Sequence, residues 1–343
     1  MDGAPVIDVA PLLDDDADPD AVDAVASEID AACRQLGFFL IQGHGVSADL
    51  TRRLESAARA FFILPEADRE AMAMHRGGAA WRGWFPIGGE LTSSVPDRKE
   101  GLYFGAELSP DDPRVVDGLP LHGPNLFPER LPAMREAVLE WMDAMTALGH
   151  RLVRGIALGL GLEAGWFDEH LTADPITLFR IFRYPSIDAD LESTPSTWGV
   201  AEHTDYGLLT ILHQDRTGGL EVRTPNAWDD WVDVPVVPDT LVCNVGDMLD
   251  RMTGGRYRST PHRVRSPRGR QRISYAFFFD PAWDAKVVPL PTTGPRTADT
   301  AASRWDHRSV DWFDGTYGEY LWAKVSRVFP DLRASVDPPD RRR

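Results

Sequence analysis

The sequence predicts an α+β fold: an N-terminal α/β region, a long helix, then short strands closing into a sandwich, barrel or jelly roll. Three observations carry this. Residues 1–65 alternate helical periodicity with compact apolar runs. Met134, Val138, Trp141, Met145, Leu148, Leu152, Ile156 and Leu160 recur at threes and fours, the period of one long helix with a buried stripe. From residue 176 onward, short apolar or alternating runs follow one another about every 8 to 12 residues with turn signals between them.

In chain order, Pro5-Val6-Ile7-Asp8-Val9 is a short strand candidate. Asp18-Pro19 opens a helix through about Leu36, since proline suits a first turn and Val22, Val25, Ile29 and Ala32 share a face. Gly37 stops it, and Phe38-Phe39-Leu40-Ile41 reads as a buried strand. A second helix covers residues 48–64 and ends at Pro65. Residues 76–131, rich in Gly, Pro and aromatics, show little period and read as a structureless segment that wraps a surface or lines a pocket. Residues 132–161 are the long helix. Strand candidates follow at 176–184, 208–213, 220–223, 231–234, 240–245, 262–264 and 272–279, with turns at Tyr206-Gly207, Gly218-Gly219, Pro225-Asn226 and Gly254-Gly255. The segment from Asp311 to about Phe329 reads as helix, and the polar tail 338–343 as frayed.

Composition bounds the partners. Of 343 residues, 43% are hydrophobic and 26% charged, ordinary for a globular chain with a sizeable core. The formal net charge of −17 repels phosphate backbones, so nucleic acid is not an expected partner. Only two cysteines, Cys33 and Cys243, are present, which excludes a disulfide framework and suits a reducing compartment. With no apolar leader and no run long enough to span a bilayer, a cytoplasmic protein with no membrane partner is expected.

The chemistry gathers in an ordered set: His203-x-Asp205, His262 and Arg272-x-Ser274. In a strand, residues two apart point to one side, so His203 and Asp205 aim an imidazole and a carboxylate at one point. Later strands folding back would bring His262 to them. Two His and one carboxylate leave a metal with open positions, the ligand set of non-haem Fe(II) oxygenases. Each piece alone is weak, since His-x-Asp is common on surfaces and a lone His is usually structural. His44, His75, His122, His150, His170 and His307 have no ligand-like neighbour in the sequence, and Gly207 breaks the run between His203 and His213. Arg272 enters the apolar run Ile273–Phe279. A buried guanidinium needs an anion. That anion is either a protein carboxylate or a ligand carboxylate gripped by the N–H fork, with Ser274 adding a donor. Tyr184 offers one more hydroxyl.

Together these residues resemble the isopenicillin N synthase-like branch of the 2-oxoglutarate- and Fe(II)-dependent oxygenases, over nearly the whole chain. Pro5-Val6-Ile7-Asp8 and Gly37-Phe38-Phe39-Leu40-Ile41-Gln42-Gly43-His44-Gly45-Val46 are similar to its N-terminal region. His203-Thr204-Asp205-Tyr206-Gly207-Leu208 resembles its first metal motif, and Asn244-Val245-Gly246-Asp247 with Tyr257-Arg258-Ser259-Thr260-Pro261-His262 the second. The resemblance implies a double-stranded β-helix (jelly roll) core with flanking helices. It implies a dioxygenase N-terminal region over 1–130, a supporting helix over 131–175, the jelly roll over 176–285 and a C-terminal segment with a helix over 286–343. It implies Fe(II) on His203, Asp205 and His262, and 2-oxoglutarate held by Arg272 and Ser274 with help from Tyr184. O2 is the further co-substrate.

The implied reaction oxidises a small organic molecule, by hydroxylation, desaturation or cyclisation, and releases succinate and CO2. Asp205 stands where halogenating relatives carry a small residue, so halogenation is not expected. Rival readings are an oxidase of the same fold that uses no 2-oxoglutarate, an ethylene-forming enzyme, and a non-catalytic β-sandwich binding protein. Substrate contacts are expected from Trp84, Phe85, Tyr103, Phe104 and Phe279, with Arg82 or Arg98 for an anionic group. Phe182-Arg183 departs from the Asn-Tyr of plant members, and Arg183 is expected to meet a carboxylate of substrate or co-substrate. A monomer or a dimer fits equally.

Overall fold

Helix α2 (Pro19–Gln35) begins at Asp18, whose carboxylate accepts from the Asp20 N–H. It stops at Gly37 because that residue takes a positive φ of 70°, and a Cβ there would meet the Arg258 carbonyl at 2.5 Å. The chain then turns directly into the buried strand β2 (Phe38–Gln42). Preceding elements are β1 (Val6–Asp8) and the short α1 (Ala10–Leu13). The computed structural model describes residues 3–92, 95–187, 198–224, 231–292 and 313–329. The Pro225-Asn226 turn, His307, Asp311 and the 338–343 tail fall outside these residues.

Helices α3 (Ala48–Phe62) and α4 (Glu66–Glu70) follow, α3 ending two residues short of the expected boundary. A 3-10 stretch (Met74–Ala80) leads to β3 (Gly83–Phe85), β4 (Leu91–Thr92), β5 (Val95–Pro96), β6 (Glu100–Gly105) and α5 (Pro113–Val116). The expectation of a structureless 76–131 segment is therefore corrected. β6 is wholly buried and pairs with the first strand of the core, and β3 pairs with β6. The period is absent because both faces of β6 are covered, which erases the polar alternation.

Helix α6 (Pro132–Gly159) is the predicted long helix, and its Met134, Val138, Trp141, Met145, Leu148, Leu152 and Ile156 are buried. Each such side chain contributes roughly 1.5–3 kcal/mol on burial. After α7 (Trp166–His170) come β7 (Ile176–Tyr184), β8 (Trp198–His203), β9 (Leu209–Gln214), β10 (Leu220–Arg223), β11 (Trp231–Asp233) and β12 (Leu241–Val245). Helix α8 (Asp247–Met252), β13 (His262–Arg265), β14 (Arg272–Asp280) and α9 (Tyr317–Val328) complete the described chain.

Eight strands form one sheet in the order β1-β2-β12-β9-β14-β7-β6-β3, and four form a second, β11-β10-β13-β8. The two face each other as the expected jelly roll, with residues from both lining one cavity. On the large sheet, Leu178, Arg180, Phe182 and Tyr184 of β7 and Arg272, Ser274, Ala276 and Phe278 of β14 turn to the cavity. The alternate residues turn to the helices: Phe179 lies 6.5 Å from Trp141, and Phe279 4.9 Å from His150. No helix among the described residues is long and apolar enough to cross a membrane.

Candidate metal centre and its cavity

His203 is the last residue of β8 and His262 the first of β13, and the antiparallel register pairs them directly. Their rings lie 4.2 Å apart. Asp205 is not in the strand, as the His-x-Asp spacing suggested, but in the turn beyond it. Its Oδ1 still comes within 4.0 Å of His203 Nε2 and 3.8 Å of His262 Nε2. Among the described residues these three are the one His/Cys/Asp/Glu group close enough to share an ion, with ligand atoms within 4.8 Å of one another.

Each group is oriented by a second contact. His203 Nδ1 lies 2.9 Å from the Ala201 carbonyl and His262 Nδ1 3.2 Å from that of Thr260. A carbonyl only accepts, so Nδ1 carries the proton and Nε2 presents its lone pair to the centre. Burial, then the adjacent His262, hold the His203 imidazole well below its usual range, so it is neutral and ready to ligate. Asp205 Oδ2 accepts from Thr210 at 2.6 Å and Asn244 at 2.7 Å, leaving Oδ1 to face the histidines.

The Asn244-Val245-Gly246-Asp247 motif has a matching physical role. The Asp247 N–H donates to the Asp205 carbonyl at 2.8 Å, and Gly246 N–H to that of Leu208 at 3.1 Å. A Cβ on Gly246 would collide with the Gly207 carbonyl, and one on Gly207 with the Asp280 carboxyl. The metal turn thus lies backbone-to-backbone on the start of α8, which only glycines permit.

The cavity measures about 460 Å³ and runs from this cluster past Ala276 to Arg272. Arg272 is 1% exposed, and its ring partner is Tyr184 at 4.8 Å. Its hydrogen bond to Gln214 is long, 3.4 Å, while Nε and one terminal nitrogen have no partner. Among the described residues no protein carboxylate is paired with it, so the protein-anion alternative fails there. Ser274 lies beside it, its hydroxyl 3.5 Å from that of Tyr184.

The expected substrate contacts are corrected. Trp84, Phe85, Tyr103, Phe104 and Phe279 do not line the cavity. Trp84 donates to Glu100 at 2.8 Å and Phe104 stacks on Phe127 at 5.4 Å, both buried away from the cavity. Phe85 and Tyr103 pack behind Phe182. Arg183 points to the helix side and is paired with Glu100, because its odd register on β7 faces away from the cavity. Arg82 is spent on the carbonyls of Ala106, Leu121 and Gly123, and Arg98 is not at the cavity. His213 lies on the outer face, 2.9 Å from Glu55.

The lining residues that sequence reasoning missed are Arg180, Lys99, Glu90 and Phe278, with Leu321 and Lys324 from α9. Counting back by twos from Tyr184 gives Arg180, so that signal is present in the sequence. Asp280 closes the α9 side. It accepts from the Leu208 N–H at 3.1 Å and the Tyr317 hydroxyl at 2.5 Å.

Burial pushes the Asp280 carboxyl from 3.8 up to about 7, against those two hydrogen bonds. A raised carboxyl keeps its proton in the folded state after the unfolded chain has lost it. Its contribution to stability is therefore complete below pH 3.8 and is lost as pH rises through about 7. Thermal melts from about pH 4 to about pH 8 should show this falling limb, and Asp280→Asn should flatten it; an unchanged limb in the variant would assign it to another group.

The comparisons with known proteins agree with the geometry. Residues 4–130 match the N-terminal model of the non-haem dioxygenases, described for morphine synthesis, and residues 176–281 match the 2OG-Fe(II) oxygenase superfamily. The chain belongs to this family, in its isopenicillin N synthase-like branch, and is a non-haem dioxygenase using Fe(II), 2-oxoglutarate and O2. It is 44% identical to a "probable iron/ascorbate oxidoreductase" of Dictyostelium discoideum, over 97% of this chain and 96% of that one. It is 34% identical to a homoarginine-6-hydroxylase of Arabidopsis thaliana, over 95% and 97%. Among solved structures it is similar to a full-length Neurospora crassa protein in complex with alpha-KG and thymine, with a TM-score of 0.77, 25% identity and coverage of 96% and 97%.

Proposed function

We propose that His203, Asp205 and His262 hold the Fe(II), that Arg272, Ser274 and Tyr184 grip the far carboxylate of 2-oxoglutarate, and that the enzyme oxidises a small amino-acid-like molecule. Arg272 carries the co-substrate assignment. A guanidinium buried in the cavity wall with unpartnered donors is costly to the folded protein unless an anion meets it. The inward-facing Nε2 atoms and Asp205 Oδ1 fit the metal, since three protein ligands leave positions open.

Bound metal and 2-oxoglutarate supply the oxidising power, and succinate and CO2 leave. The chain's own residues position and shield. The Arg272 fork fixes one end of the co-substrate, the Tyr184 ring keeps that fork aligned, and Leu212, Leu220 and Val264 keep the wall dry.

The wall carries both signs of charge, Glu90 beside Lys99, Arg180 and Lys324. That lining and the homoarginine named for a relative support a zwitterionic substrate. The net charge of −17 favours such a small molecule over nucleic acid, and the two buried free cysteines suit the cytoplasm. Succinate release should be stimulated by at least one member of a panel of amino and guanidino acids. Stimulation by neutral molecules alone would remove the substrate assignment, and substrate oxidation without any succinate would make this a 2-oxoglutarate-independent oxidase.

A further inference from the structure

Arg180 stands in the middle of β7, between Tyr103 of β6 and Ala276 of β14 in the cross-strand register. It faces the same cavity as the metal cluster. Its guanidinium is clamped between two rings, 4.3 Å from the centre of Tyr103 and 4.9 Å from that of Phe278. The clamp fixes the plane of the fork and leaves its edge free. The methyl of Ala276 is too short to cover that edge.

No hydrogen bond from the described residues satisfies the fork. Its nearest anion, Glu90 Oε1, is 3.7 Å away, and that oxygen already accepts from the Tyr103 hydroxyl at 2.6 Å. The other Glu90 oxygen is paired with Lys99 at 2.8 Å, and Lys99 also meets Asp97 at 2.5 Å. Two carboxylates thus balance two cations, which keeps Arg180 charged in the absence of a ligand. Charge balance without hydrogen bonds leaves its donors available. Arg183, three residues on, shows the contrast: its fork is engaged by Glu100.

We propose that Arg180 is the anchor for a carboxylate of the oxidised substrate, distinct from the arginine at the co-substrate end. The cavity then holds two carboxylates on two arginines, one from each of the adjacent strands β7 and β14. Substrates are carboxylic acids, and their amides or esters are poor. This rests on the metal and co-substrate reading above and adds which wall residue orients the substrate.

The test uses acids paired with their amides: L-arginine and L-argininamide, L-leucine and L-leucinamide, phenylacetate and phenylacetamide. Each is titrated calorimetrically into the anaerobic protein loaded with Fe(II) and 2-oxoglutarate. In the wild type at least one acid should bind roughly ten- to a hundredfold more tightly than its amide, the range of charge-assisted hydrogen bonds. Arg180→Gln should erase that preference while the affinity for 2-oxoglutarate stays within about threefold, since no donor to the co-substrate is lost. Arg180→Lys, which keeps the charge without the fork, should fall between. If no acid is preferred over its amide in the wild type, the proposal is overturned without reference to any variant. It is also overturned if Arg180→Gln keeps the preference but loses 2-oxoglutarate binding. Failure of the wild type to bind Fe(II) and 2-oxoglutarate at all would instead sink the assignment of the centre itself.

Discussion

Asp205→Asn is expected to fold normally and to lose its metal. The amide oxygen still accepts from Thr210 and Asn244, so the turn keeps its internal hydrogen bonds. The amide nitrogen then replaces Oδ1 opposite the two histidines, and it has no lone pair to offer. In the wild type, metal at about a hundred times its dissociation constant adds about 2.7 kcal/mol of stability. At roughly 2.1 cal/mol/K of unfolding entropy per residue over 343 residues, that corresponds to about 4 °C in the melting temperature. The variant should melt close to the metal-free wild type and should not respond to metal. Turnover should fall by more than the roughly 10–100-fold that loss of an outer partner costs; Asn244→Ala supplies that milder comparison. A variant that still gains stability from Fe(II) would move the centre away from Asp205.

Arg272→Met separates a ligand-binding arginine from a structural one by the sign of two effects. The substitution removes a buried charge whose Nε and one terminal nitrogen are unpartnered. Metal- and co-substrate-free protein should therefore become more stable, by roughly 1–3 kcal/mol. Affinity for 2-oxoglutarate should drop roughly a hundred- to ten-thousandfold, from the loss of two charge-assisted hydrogen bonds. Calorimetric titration and thermal melts on one sample read both. A drop in stability with co-substrate binding intact would show that Arg272 serves the fold.

The difference between Arg183 and Arg180 shows what is legible in the sequence. Strand limits at β7 and β10 follow from apolar runs alone, and the spacing of Arg272 and Ser274 puts both on one face of β14. Alternation along β7 holds the same information, and counting by twos from Tyr184 selects Arg180. The family comparison with Asn-Tyr points to Arg183 instead. Strand β8 is hidden because Gly199, Ala201 and Glu202 break its apolar pattern, although it ends on His203. The aromatics of β3 and β6 read as cavity-lining because aromatics often line pockets. In the fold both faces of β6 are covered, and no sequence period distinguishes a side chain facing the cavity from one facing the opposite layer.

Helix α9 is tied to the metal turn through two carboxylates. Tyr317 bonds Asp280, which holds the Leu208 N–H. Tyr320 and Lys324 reach Asp247, whose own N–H holds the Asp205 carbonyl. Leu321, Lys324, Arg327 and Val328 of this helix also line the cavity, so the element that walls the substrate space is the one that holds the loop carrying Asp205. Cavity wall and metal turn thus share one frame, and a substitution that reseats α9 is felt at the Asp205 backbone as well as in the space beside it.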